Sequence, residues 1–253
     1  MLERFAQIRP KILLTVNAVV YNGKTYDHLD KVKGVLRDLN VETCIVIPFV
    51  DRGAEDLGIA NGLWWQSFLN LDDGQPLQFA QLPFDHPLYI LYSSGTTGKP
   101  KCIVHSAGGT LLQHKKEHVI HGNLTAQDVV FQYTTTGWMM WNWLASCLSF
   151  GATIVLYEGS PFKPKSSIMF DLIDSLGVTV FGTSAKFLAS TEEMGIVPNE
   201  IAKFDKLHSI YSTGSPLKPE SYDFVYKHFK SDVLLGSITG TCRRPLPEKG
   251  RNL

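Results

Sequence analysis

The sequence predicts an α/β protein built from layered units with parallel strands, and two observations predict it. Short runs rich in β-branched residues occur at 11–20 (KILLTVNAVV) and 43–50 (TCIVIPFV). A stretch of helical period, 27–40, separates them, and strand, helix, strand in that order is the pattern of a parallel crossover.

Each element follows from local chemistry. The 11–20 run reads as one strand, and Asn22-Gly23 behind it supplies a turn. In 27–40, Leu29, Val32, Val35, Leu36 and Leu39 share one helical face, with Asp27 as candidate cap and Asn40 at the end. The 43–50 run reads as a buried strand. Residues 51–81 have no clean period, but Trp64, Trp65 and Phe68 predict a packed, partly helical stretch. Residues 88–92 form an apolar strand that ends on a Gly/Ser/Thr-rich loop. Beyond the loop come a strand at 102–105 and a long helix over about 106–122. Further strands are predicted at 128–133, 153–157, 178–181, 209–212 and 233–235, with a helix at 169–176. Residues 1–241 read as a single partial domain. The last stretch, 242–253 (CRRPLPEKGRNL), has almost nothing to bury and reads as a disordered tail.

Lys+Arg and Asp+Glu both number 24, which removes the electrostatic reason to expect nucleic acid or an anionic membrane as partner. Cys44, Cys102, Cys147 and Cys242 are widely spaced and form no CxxC pair, so neither a disulfide framework nor a zinc site is expected. No leader pattern opens the chain, and no run reaches the roughly 18–20 apolar residues of a membrane span. The expected location is the cytosol.

The segment richest in chemistry is YSSGTTGKPK, residues 92–101. Ser93, Ser94, Thr96 and Thr97 bring hydroxyls, and Gly95 and Gly98 allow close backbone approach. Lys99 and Lys101 add charge, and Pro100 stiffens the exit. Amides, hydroxyls and ammonium groups converging on one point make an anion site. It is not a Walker A loop, because Pro100 stands where that motif needs Ser or Thr after the Lys. On local composition alone, a surface turn between two strands is an equal alternative.

The whole ten-residue string resembles the signature [YF]-[ST]-[ST]-G-[ST]-T-G-x-P-K of the adenylate-forming superfamily, which holds acyl-CoA synthetases, luciferases and peptide-synthetase adenylation domains. KCIVHSAGGTLL (101–112) is similar to the acetyl- and acetoacetyl-activating branch, with Cys102 where a Gly is usual. TTTGWMMWN (134–142) resembles the next family motif, which implies that Trp138 borders the acyl pocket. STGSP (212–216) resembles the segment that lies along adenine, which implies nucleotide contacts for Gly214, Ser215 and Pro216. TTTGWMMWNW and GSITG (236–240) are most similar to the acetoacetate-activating branch.

The resemblance implies part of the superfamily's large N-terminal domain. It implies ATP-dependent activation of acetoacetate to its coenzyme A thioester through an acyl-adenylate, with Mg²⁺, and with small molecules as the only partners. It assigns ATP and AMP binding to Ser93, Ser94, Gly95, Thr96, Thr97, Gly98, Lys99 and Lys101 as well as to Gly214–Pro216, and no catalytic or metal-ligating residue. Beyond Gly240 the family continues Gly-Thr-acid, the acid helping to hold Mg²⁺, whereas this chain reads Thr241-Cys242-Arg243-Arg244. The family's mobile C-terminal domain with its catalytic Lys has no counterpart in the 253 residues, so the chain alone is expected to lack turnover. A non-catalytic nucleotide-binding or interaction module, or a ligase for another short or fatty acyl group, stay as alternatives.

Other residues read more plainly. His105 reads as a satisfied, partly buried histidine, while the resemblance implies a position packed near the nucleotide loop. His114, His118 and His121 fall at i, i+4 and i+7, a spacing that could hold a metal. Lys115, Lys116 and Glu117 between them favour a solvated face. Trp138, Met139, Met140, Trp141 and Trp143 read as core packing, with a pocket wall as the functional reading for Trp138. Asp171 and Asp174 read as exposed, and Lys163 and Lys165 as loop.

Overall fold

Asn17 ends the first strand. In the computed structural model, which describes residues 2–51, 56–69, 74–93 and 98–239, the 11–20 run is two strands, β1 (Ile12–Val16) and β2 (Ala18–Tyr21), rather than one. The Asn17 carboxamide is buried, and its Oδ1 accepts from the backbone N–H of Ala18, Phe49 and Val50 at 2.9, 3.0 and 3.1 Å. Its Nδ2 donates to the Val50 carbonyl at 2.6 Å. A buried carboxamide needs all its partners, and collecting these breaks the strand. The tight turn at Asn22 (φ 54°) and Gly23 (φ 77°) then pairs β2 with β3 (Lys24–Asp27) antiparallel, as the Asn-Gly signal predicts.

These strands belong to the first of two compact units, Met1–Ser106 and Ala107–Leu253, a division that falls inside the single 1–241 domain read from the sequence. The unit opens with α1 (Leu2–Ile8). Helix α2 (Leu29–Leu36) is shorter than 27–40. Asp27 closes β3 and accepts from the Leu29 N–H at 2.9 Å, and Leu39 leaves the helical path to bury with Val32, Val41 and Val46. β4 (Thr43–Ile47) runs parallel to β1, confirming the predicted crossover, and pairs on its other edge with β5 (Gly62–Trp64). The strand β5 and the single turn α3 (Trp65–Phe68) therefore share the stretch expected to be packed and partly helical. β6 (Pro87–Tyr92) and β7 (Cys102–Ser106) form an antiparallel hairpin with Tyr92 opposite Cys102.

The second unit is a parallel sheet. Its elements are α4 (Ala107–Lys115) with a π-helical extension Lys116–His121, β8 (Val129–Gln132), α5 (Met139–Ser146) with a 3-10 turn Cys147–Phe150, β9 (Thr153–Val155), α6 (Ile168–Ser175), β10 (Val180–Ser184), α7 (Ala185–Glu193), α8 (Pro198–Ile201), β11 (Ser209–Thr213), α9 (Pro219–Phe224) with a second π-helical stretch Val225–Phe229, and β12 (Leu234–Ser237). The five strands lie in the order β12-β11-β10-β8-β9, all parallel. Successive side chains alternate between faces. Phe131, Phe181, Ile210 and Leu235 enter one core with Phe170, Phe187 and Phe229, while Val130, Val180 and Tyr211 enter another with Met140, Trp143 and Leu144. Both faces are covered, as a parallel sheet requires.

Helices α7, α8 and α9 had local signals that the sequence reading passed over. Ser184 caps α7, its Oγ accepting from the Phe187 N–H at 3.2 Å, and Pro198 and Pro219 stand in the first turns of α8 and α9. The histidine stripe is corrected. His118 is 0% exposed and His114 is buried, with only His121 in solvent, because the π-helical turn packs against α5. The 242–253 tail lies outside the described residues.

Candidate functional site

The loop expected to bind phosphate sits at the tip of the β6–β7 hairpin. Ser94, Gly95, Thr96 and Thr97 lie outside the described residues. The base of the loop is closed on both sides: the Ser93 N–H donates to the Lys101 carbonyl at 3.0 Å, and the Lys101 N–H donates to Ser93 Oγ at 3.0 Å. Gly98 adopts φ 142°, where a side chain would be strained, and Lys99 and Lys101 are exposed. Below the loop His105 rests 5.2 Å from the Tyr89 ring, and burial lowers its basicity. Burial also raises the Tyr92 phenol, with Cys102 beside it adding to the effect.

In the second unit the sheet topology prepares a crevice. The chain runs from β8 outward to β9, then returns past β8 to β10, β11 and β12. In open parallel sheets ligands bind beyond the carboxyl ends of the strands near such a reversal. A cavity of about 300 Å³ lies there. Trp138, Met139 and Met140 line it from the segment after β8, Thr213, Gly214, Ser215 and Pro216 from the end of β11, and Ile238 and Thr239 from beyond β12. The cavity thus brings the expected acyl-side residue, Trp138, together with the expected adenine-side residues, Gly214–Pro216. Gly214 takes φ 91°, which side chains rarely adopt, and a Cβ built there would make ordinary contact with the Trp138 ring at 3.9 Å.

Trp138 is held by its place in the chain. It precedes α5 with an extended backbone (φ −105°, ψ 146°), and the Trp141 N–H donates to its carbonyl at 3.0 Å. Met140 behind it is buried in the core, which fixes the first turn of α5. Gly214–Pro216 are exposed, while the strand that leads to them is buried from Ser209 to Thr213. A rigid strand therefore delivers a solvent-facing backbone to the cavity.

Met139, Met140, Thr213, Ile238 and Thr239 were not singled out as site residues from the sequence. Their shared signal is position, at a strand's carboxyl end or up to several residues beyond it, which becomes visible only once strand order is known. Three buried polar atoms on neighbouring strands, Gln132 Oε1, Thr183 Oγ1 and Ser212 Oγ, find no hydrogen-bond partner among the described residues. Asp171 is tied by Ser167 Oγ at 2.9 Å and Lys165 at 2.7 Å, and exposed Asp174 accepts from the Phe204 N–H at 2.9 Å. These carboxylates order loops rather than face the cavity.

Residues 1–238 match the family of AMP-binding enzymes. The chain belongs to that family. This AMP-binding chain is 54% identical over 245 residues to the acetoacetyl-CoA synthetase of Gallus gallus, covering 94% of this chain and 37% of that protein. It is 48% identical over 239 residues to the acetoacetyl-coenzyme A synthetase of Rhizobium meliloti (strain 1021), with coverage of 94% and 37%. It is also 43% identical over 259 residues to a malonamoyl-CoA synthetase of Penicillium aethiopicum, with coverage of 94% and 36%. Among solved structures, acetoacetyl-CoA synthetase from Streptomyces lividans superposes with a TM-score of 0.84 at 39% identity, over 92% of this chain and 36% of that one. The AMP-binding chain spans a little over a third of the length of these relatives, and its fold is the mixed α/β fold of the matching part.

Among the described residues of this AMP-binding chain, no group of three His, Cys, Asp or Glu side chains can hold a metal, and no helix is long and apolar enough to cross a membrane. The His114–His118–His121 spacing fails as a metal site for a physical reason: His118 Nε2 is spent on the Trp143 carbonyl at 3.0 Å inside the core.

Proposed function

We propose that the chain is the nucleotide- and acyl-binding part of an acid–thiol ligase that activates acetoacetate. The observation that carries this reading is the cavity in which Trp138 faces Gly214–Pro216, so that one wall serves an acyl group and another a purine. In the proposed chemistry a carboxylate oxygen of acetoacetate attacks the α-phosphorus of ATP, forming the acyl-adenylate and releasing pyrophosphate. The thiolate of coenzyme A then attacks the acyl carbon and AMP leaves, so the acid gains a thioester at the cost of one ATP.

The chain's own groups have limited, definable roles in this. Lys99 and Lys101, with the hydroxyl of Ser93 at the loop base, offer charge and donors to the phosphates, as do Ser94, Gly95, Thr96, Thr97 and Gly98 on the family resemblance. Gly214, Ser215 and Pro216 give the nucleotide a flat backbone surface. Trp138 supplies an aromatic wall whose bulk limits acyl length. Mg²⁺ enters as the counter-ion of ATP and would neutralise phosphate charge. No described cluster forms a ligand set for it, so no step is assigned to a protein-bound metal.

Calorimetric titration of the chain with AMP and with Mg·ATP tests the reading. Thr97→Ala with Lys99→Ala is expected to weaken Mg·ATP binding tenfold or more, since charge-assisted hydrogen bonds contribute roughly 1.5–3 kcal/mol each. Equal affinity in parent and double variant, or no binding to the parent, sinks the assignment. A second reading, a different short acyl substrate, is favoured by the 43% identity to a malonamoyl-CoA synthetase. Titrating acetoacetate and malonamate separately into the AMP complex distinguishes the two.

A further inference from the structure

Both flanks of the phosphate loop are tied to one face of α1, more than eighty residues away in sequence. Gln7 Nε2 donates to the Pro100 carbonyl at 2.9 Å, and also to the Glu3 carbonyl of its own helix at 2.8 Å. Gln7 Oε1 accepts from the Cys102 thiol at 3.5 Å. One turn earlier, the Arg4 carbonyl accepts from the Tyr92 hydroxyl at 3.1 Å, and the Arg4 guanidinium lies 5.7 Å from the centre of the Tyr92 ring. Tyr92 enters the loop, and Pro100 and Cys102 leave it.

We propose that Gln7 is a positioning residue for the phosphate loop. The chemistry of the side chain suits that role. Pro100 has no N–H, so its carbonyl is the only backbone group by which this point of the loop can be held. A carboxamide carries a donor and an acceptor on one planar group, and can clasp the Pro100 carbonyl and the Cys102 thiol together. Lys99 and Lys101 stand on either side of the clasped carbonyl, so holding it fixes the direction in which both leave the backbone. Flanks held in place before the ligand arrives do not have to be ordered by it, which favours binding. The Gly-to-Cys departure at position 102 gains a function in this light, because only a side chain there can reach Gln7.

The inference rests on the nucleotide reading of that loop, and the test separates the two. The full chain is compared with Gln7→Leu, which removes both contacts, and Gln7→Glu, which keeps the acceptor facing Cys102 but cannot donate to Pro100. Hydrogen exchange of the Ser93 and Lys101 amides without ligand reads the brace, and calorimetry with Mg·ATP reads the site. In both variants the two amides are expected to exchange roughly two- to tenfold faster, the scale set by losing one neutral hydrogen bond. The Mg·ATP Kd is expected to rise by a similar factor, with the melting transition unmoved. Unchanged exchange in Gln7→Leu overturns the proposal. So does faster exchange throughout the chain with a lower melting temperature, which would make Gln7 a general stabiliser. If exchange rises locally but the parent binds no Mg·ATP, the brace stands and the nucleotide reading falls.

Discussion

His118 Nε2 lies 3.0 Å from the carbonyl oxygen of Trp143, and the imidazole leans on the Trp143 ring with centroids 4.3 Å apart. A carbonyl only accepts, so this nitrogen carries its proton. The pair joins the π-helical end of α4 to α5, the helix that Trp138 leads into. Burial pushes the His118 pKa down to about 4, and the charge of neighbouring His114 acts in the same direction.

That shift predicts acid lability. Unfolded, the imidazole takes up its second proton near pH 6.5, whereas in the fold it does so only near pH 4. The unfolded state therefore binds more protons between these values, and stability falls as pH drops through that window. The full loss is about 3 kcal/mol at roughly 1.4 kcal/mol per pH unit. Denaturant titrations at several pH values should show this slope, and His118→Leu should flatten it. An unchanged slope in the variant would remove His118 as the cause.

Asn17→Ala should destabilise the first unit by about 3 kcal/mol, because three backbone N–H groups lose their acceptor in a buried position. Asn17→Asp keeps the acceptors and loses only the donor to Val50, so it should cost less. Urea unfolding of the three proteins checks the order. Parent-like stability in Asn17→Ala would show that the break between β1 and β2 has another origin.

Gly182→Ala should destabilise the sheet by about 1–3 kcal/mol, since the new methyl would overlap the Gln132 side chain on the paired strand. Gln132→Ala removes the obstacle, so the double variant should recover much of the loss. A double-mutant cycle on melting temperatures reads that coupling. Strict additivity would mean that the two side chains do not compete for the same space.

Gly214→Ala should weaken AMP binding more than Ser215→Ala does. The alanine methyl would strain a backbone at φ 91° and point toward the Trp138 ring across the cavity. Strain of this kind costs about 1–3 kcal/mol, so a modest drop in melting temperature should accompany the loss of affinity. AMP affinity equal to that of the parent would take Gly214 out of the nucleotide wall.

The sequence by itself determined what short-range chemistry controls. The amides, hydroxyls and lysines of the 92–101 string are neighbours in the chain, so the proposed anion loop is read from local order alone, and Asn22-Gly23 announces a turn because both residues tolerate positive φ. The Ser184 cap and the helix-starting prolines were equally local, and were there to be read. Tertiary structure decided the rest. Asn17 breaks a strand through partners 32 and 33 residues on. His118 is buried by Trp143 and Ser146, 25 and 28 residues away, against a local charge pattern that favours solvent. Trp138 meets Gly214 only because the sheet places β8 and β11 on either side of β10. Dihedral preference and capping act within a few residues, whereas burial and strand order depend on which distant apolar surfaces close on each other, and no local spacing records that.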